Sequence, residues 1–357
     1  MMFFSQKQPI STILFNMPYL FSFLVLVAIL SLGSANKSVA DETSLADSSP
    51  ERTLPAVVVI GATQSEKNTE PGSSTLSAEE IGNLPLGAES ISESVKILPG
   101  VQLSEEERSS RQGGEILPPD ISISGGRPFQ NNFSIDGLSN NSSLDPELRD
   151  SKANSGKFIP DHAQDVFLDP ELVDSIDLYR SNISAKYGEF TGGVVDAETR
   201  DPDPHFWGKI SVKGTRDEWT TFHMPAEERQ EFENSDSASD QPDFTIYDAN
   251  LTLNVPTGQH SGLLASYSIV ESEIPLNFLG GSRNQKRELE NFFLKYQTDL
   301  TTRDTLSATL LYTPYEEKRF YRHARNSDFT IEGGGALVSL AYERFLEIGE
   351  LQIKGAY

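Results

Sequence analysis

Side chains that could do chemistry are few in this sequence, and they are scattered. The five histidines, His162, His205, His223, His260 and His323, lack the spacing of a metal-ligating helix such as His-Glu-x-x-His. His162 beside Asp161 and His223 beside Met224 are most simply loop residues. The chain has no cysteine, which excludes disulfide frameworks, thiolate zinc sites and cysteine nucleophiles. No phosphate-cradling loop, Gly-x-Ser-x-Gly elbow or dinucleotide fingerprint occurs. The acids from Glu227 to Asp243 are not spaced as a fixed calcium loop, so they read as a solvated loop. An exported β-sandwich hydrolase using Asp and Glu as acid and base would need two carboxylates converging in a cleft. The expectation is therefore no enzyme, no cofactor and no metal. A formal net charge of −24 also opposes nucleic-acid binding, which needs clustered Lys and Arg.

What remains is backbone chemistry and the elements that position it. Residues 1–40 read as a signal peptide, with Lys7 ahead of an apolar run from Leu20 to Leu32. That run is short for a membrane-spanning helix. Cleavage fits after Ala40, with Ala35 the second choice. A polar, unpatterned leader follows over 41–53. Leu54 to Ala62 is then β-prone, with Pro55 before Val57, Val58, Val59 and Ile60, and Gly61 after; alone it is simply an edge strand. Ser90 to Val101 spaces Ile91, Val95 and Leu98 along one helix face and stops at Pro99-Gly100. Asp120 to Arg127 and Phe133 to Gly137 alternate as two strands of a hairpin. Asp169-Pro170-Glu171 is a capped helix start, echoed by Asp145-Pro146-Glu147 inside a polar insertion from Leu138 to Val166. Alternation resumes around Ile176 and Leu178. Gly188, Gly192 and Gly193 mark a tight reversal into Val194 to Thr199.

The order of these residues resembles the plug domain of TonB-dependent outer-membrane receptors. The resemblance rests on Leu98-Pro99-Gly100-Val101, on Ile121-Ser122-Ile123 with Asp136-Gly137, and on Ala185-Lys186-Tyr187-Gly188 with Gly192-Gly193-Val194-Val195. Asp196 stands where that family has asparagine, the family's Gly-Pro is absent at Ser181-Asn182, and Arg127 follows a glycine pair instead of preceding one glycine. The resemblance implies that Val57, Val58, Val59 and Ile60 form a TonB box, which adds as a strand to a partner's sheet edge. It implies that Arg127, Phe129, Gln130, Asn131 and Asn132 face a small ligand, with parts of Leu138–Val166. Pro99, Gly100, Asp136, Gly137, Tyr187, Gly188, Gly192 and Gly193 would be structural.

Seven period-2 segments follow Arg200: Trp207 to Lys213, Tyr247 to Val255, Leu263 to Ile269, Phe292 to Thr298, Leu306 to Tyr312, Ala336 to Tyr342 and Leu351 to Tyr357. The connections alternate long and short, with 216–243, 271–288 and 314–334 the long ones, as a transmembrane barrel requires. The expected fold is an α+β plug followed by antiparallel transmembrane β-barrel strands, seven of a family-typical total of about 22. The domains would be 1–40 signal peptide, 41–53 leader, 54–62 TonB-box-like segment, 63–203 plug and 204–357 barrel. The implied function is ligand uptake through the outer membrane of a Gram-negative bacterium, energised by TonB, for an iron-siderophore or similar solute. The partners would be TonB, outer-membrane lipid and that ligand. Because seven strands cannot close, a non-transporting binding protein or inactive remnant is the alternative.

Overall fold

The computed structural model describes residues 71–84, 90–103, 110–142, 162–235 and 240–357. The signal-like segment, the leader, Val57 to Ile60 and Asp145 to Glu147 lie outside the described residues.

The α+β domain contains β1 (Ser73–Ser77), β2 (Val101–Leu103), β3 (Ile121–Ile123), β4 (Asn132–Ile135), β5 (Leu138–Ser139), β6 (Val173–Tyr179) and β7 (Val194–Thr199). Its main sheet runs β1-β6-β7-β4-β5, and β2 pairs with β3 separately. The hairpin expected between the 120–127 and 133–137 runs does not form. Instead β4 lies parallel to β7, while β3 turns back onto β2. Buried Ile123 and Phe133 serve the same core from different sheets. At Asp136-Gly137 both residues are left-handed, φ 52° and 73°, giving the two-residue turn that joins β4 to β5.

Two short helices are capped as their sequences dictate. Ala78–Gly82 begins with a capping box in which the Ser77 amide donates to Glu80 at 2.8 Å. Ile91–Val95 is capped by the Ser90 hydroxyl, and buries Ile91 and Val95 as the spacing predicts. The Asp169 cap holds only one 3₁₀ turn, Pro170–Leu172, before β6 takes over. The connection from β6 to β7 is a loop over 180–193, longer than the tight reversal expected.

Beyond Arg200 runs one antiparallel sheet: β8 (Trp207–Arg216), β9 (Thr245–Pro256), β10 (Ser261–Phe278), β11 (Gly281–Thr301), β12 (Asp304–Tyr312), β13 (Tyr315–Phe320), β14 (Asp328–Gly333), β15 (Ala336–Leu346) and β16 (Gly349–Ala356). Among these strands β8, β14 and β16 each pair on one side only. Two expected loops are corrected. Residues 271–288 continue β10 and β11 in register to Phe278 opposite Gly281. Residues 314–334 form the β13–β14 hairpin, which also pairs with β11. Ile274, Leu276, Phe278 and Phe320 pack in a small core there, but Pro275 and the charged residues over 283–290 and 316–319 interrupt the period-2 signal while backbone pairing persists. Pro275 is tolerated because β9 stops pairing β10 at Glu273, leaving an edge there.

Register separates the two faces of this wall. Ile210, Leu251, Tyr267, Leu294, Leu310 and Val338 share the outer face. Asn250, Thr252, Ser266, Lys295 and Thr309 share the inner face. Four inner residues break the polar pattern: Leu264, Phe293, Leu311 and Leu337 are buried in one cluster with Val95, Phe133, Leu172 and Val195 of the α+β domain. The wall and the domain therefore share a core.

Candidate functional site

The inner wall grips the α+β domain through side chains that alternate with its lipid-type face. Lys295 donates to the Thr199 carbonyl at 3.1 Å and hydroxyl at 2.9 Å, and pairs with Asp201 at 2.7 Å. Asn254 accepts from the Asp203 amide and donates to the Asp203 and His205 carbonyls, fixing the connection between the two domains. Thr313 accepts from the Phe167 amide at 3.1 Å, and Asn291 donates to the Phe167 carbonyl. Lys354 donates to the Asp136 carbonyl at 2.9 Å.

Asp169 lies where the wall and the first domain meet. Its carboxylate caps Glu171 at 2.8 Å and accepts from Asn250 at 3.0 Å. Burial, which outweighs those two hydrogen bonds, pushes its pKa up to about 7, and the charges of Glu171 and Asp248 push the same way.

A second contact sits at residues 110–116. Arg287, 1% exposed on β11, donates from Nε and an NH2 group to both oxygens of Glu115 at 3.1 Å. Burial alone would raise the Glu115 carboxyl, but the Arg287 charge and hydrogen bonds, with Arg319 behind them, hold it below the usual range. Ser272 donates to the Gly114 carbonyl at 2.6 Å, and Gln241 bridges the Gly114 amide and Glu115. Arg111 reaches Glu228 at 2.5 Å and Asp240 at 2.9 Å, tying the helix Ala226–Glu233 and its loop to the same apex.

The expected ligand-facing residues divide. Arg127 is exposed, with its guanidinium 6.0 Å from the Phe129 ring. Gln130 accepts from the Arg127 amide at 2.8 Å. Phe129 lines a cavity of about 200 Å³ with Asn141, His162 and Glu189, and Asn131 reaches its wall. His162 accepts from the Gln164 amide at Nδ1, so its Nε2 carries the proton toward the Pro118 carbonyl. Asn131 and Asn132 turn inward instead. Asn131 donates to the Ile121 carbonyl at 2.8 Å and accepts from the Gly193 amide at 3.3 Å; Asn132 donates to the Gly188 carbonyl at 2.6 Å.

The motif residues have physical reasons for their types. A Cβ on Gly192 would lie 2.3 Å from Asn131 Oδ1, and one on Gly193 would lie 2.3 Å from Ile123. Close approach sets both. Asp136 accepts from the amide and hydroxyl of Thr199 at 2.8 and 2.7 Å. The helix expected to run to Pro99 stops at Val95, turns carry the chain over 96–100, and Gly100, at φ 83°, packs against Arg180. Tyr187 donates to Asp196 at 2.7 Å, and Ser134 donates to its other oxygen. Burial and that acceptor raise the Tyr187 phenol. Among the described residues no three metal-ligating side chains converge. Glu115, Arg287, Asn254 and Lys295 were not singled out by sequence, although the inward phase of Asn254 and Lys295 was readable from the alternation.

A family profile for the "TonB-dependent Receptor Plug Domain" matches residues 65–195. This chain carries the plug of a TonB-dependent receptor. YddB, a protein of Escherichia coli K12, is 30% identical over 252 residues, covering 68% of this chain and 32% of its own length. This chain thus spans about a third of that relative. The solved outer-membrane transporter YddB from E. coli superposes with a TM-score of 0.73 at 27% identity, over 80% of this chain and 38% of the other. The ferric enterobactin receptor PirA of Pseudomonas aeruginosa is 29% identical over 160 residues, which cover 43% of this chain and 20% of its own length. These relatives are receptors and transporters, and the sheet after the plug is the first part of a barrel of their kind.

Proposed function

We propose that this chain is the plug and first barrel strands of an outer-membrane transporter for a scarce ligand of the iron-siderophore type, energised through TonB. The observation that carries it is a plug seated on the polar inner face of a wall whose outer face is apolar. Val57 to Ile60 add as a strand to TonB, and Arg127, Phe129 and Gln130 face the ligand. Asn131 and Asn132 hold that surface in place from behind. Two relatives are named for enterobactin, PirA and the ferrienterobactin receptor of E. coli, and they make ferric enterobactin the first probe.

The test is uptake of labelled ferric enterobactin by cells that depend on this receptor, with and without TonB. Accumulation that requires TonB supports the reading. Binding with no TonB-dependent accumulation, for this and other iron chelates, would replace it with a binding protein that does not transport.

A further inference from the structure

The contact at residues 110–116 is held by an ion pair whose wall partner, buried Arg287, already has a second carboxylate beside it. Arg287 pairs with Glu115 of the plug at 3.1 Å and with Glu317 of β13 at 3.8 Å. Glu317, 1% exposed, is fixed by the Arg319 guanidinium and the Tyr315 hydroxyl, and Gln285 accepts from Arg287 at 3.1 Å. All of these belong to the wall, so they remain when the plug moves.

Withdrawing one member of a buried ion pair is strongly destabilising because the other charge is stranded. Two arginines and two glutamates balance in the seated state. With Glu115 gone, Arg287 and Arg319 face Glu317 alone, before water has entered. A carboxylate at 3.8 Å needs only a small shift to become the direct partner of Arg287.

We propose that Glu317 is a positioning residue for plug displacement: it takes over Arg287 as Glu115 leaves, so the apex detaches without stranding a buried cation. This rests on the reading of the chain as a transporter whose plug moves against its wall. The sign of two variants is then set. Glu115→Gln weakens the contact and speeds detachment. Glu317→Gln leaves Glu115 as the sole counter-charge to two arginines and slows it.

The experiment uses the absence of native cysteine. Ser272, 1% exposed and hydrogen-bonded to the apex carbonyl of Gly114, is replaced by Cys as a reporter that opens only when the apex lifts. Thiol labelling is followed on the full protein in detergent under mild urea, without TonB or ligand, so it reads the hand-over even if the uptake reading fails. Labelling is expected about tenfold faster with Glu115→Gln and about tenfold slower with Glu317→Gln, with Glu317→Asp restoring the parent rate. Arg319→Met, which frees Glu317 to meet Arg287, is expected to speed labelling and stands in should Glu317→Gln not fold. An unchanged or faster rate in folded Glu317→Gln, no rescue by Glu317→Asp, or no acceleration in Arg319→Met would overturn the proposal.

Discussion

Asp169 makes the grip between plug and wall depend on pH in a direction opposite to most carboxylates. Its pKa is raised from 3.8 to about 7 in the seated plug, chiefly by burial. The seated state therefore binds a proton that the released state gives up between those values. Below the lower value the group contributes no pH dependence; through the window, stability falls as pH rises, and above about 7 the loss is complete. At about 1.4 kcal/mol per unit the full penalty is about 4 kcal/mol, of which about 3 kcal/mol develops between about pH 5 and 8. Glu115, held below its usual range, loses its contribution only in more acid solution, and Asp169→Asn separates the Asp169 share from that of other carboxylates. Asp169→Asn keeps an oxygen to cap Glu171 and cannot ionise. Urea release of the plug can be followed by Trp207, which packs on the shared core, in a background where exposed Trp219 is replaced by Phe. With a slope of about 1–3 kcal/mol per M, Asp169→Asn should raise the midpoint at about pH 8 by about 1–4 M and by less at about pH 5. Coincident midpoints for the variant and its parent at the higher pH would refute the reasoning.

Gly193→Ala forces a Cβ to within 2.3 Å of Ile123 and 2.7 Å of the Tyr179 carbonyl, and should cost about 1–3 kcal/mol in the same urea assay. Gly188→Ala meets nothing within 4 Å and should leave the midpoint in place. Asn254→Ala removes three hydrogen bonds to the connection between plug and wall and should cost about 2–3 kcal/mol, measured by proteolytic cutting near His205. Val58→Pro removes an amide from the segment proposed to pair with TonB. Labelled ferric enterobactin should still bind such cells but should no longer accumulate; undiminished accumulation would count against that segment.

Alternation made the wall legible, because a strand between lipid and lumen must change character at every residue. It failed at 271–288 and 314–334, where charged residues and Pro275 break the alternation and the hairpins look like loops. Leu264, Phe293, Leu311 and Leu337 were hidden for another reason: they are apolar on a polar face because the plug core lies against them. Non-local pairing leaves no local trace, so the parallel match of β4 with β7 was missed and a hairpin expected in its place. Asn131 and Asn132 come soon after a proline and sit between turn signals, which reads as an exposed tip; their burial depends on Gly188 and Gly193, more than fifty residues away. Arg287 lies in a stretch that looked like a solvated loop, and its role needed the position of Glu115.

Asn254 also governs how a displaced plug returns. It fastens the end of the plug to the wall, whereas β1, nearest the segment that TonB would pull, is an outer strand of the plug sheet. A tug from the amino-terminal side would reach the free margin at β1 before β7, the central strand that leads into the moored connection. A plug drawn out this way stays leashed to its own socket, at an effective concentration of the order of mM. On the proposed reading, re-seating would then be a local search with no partner to find.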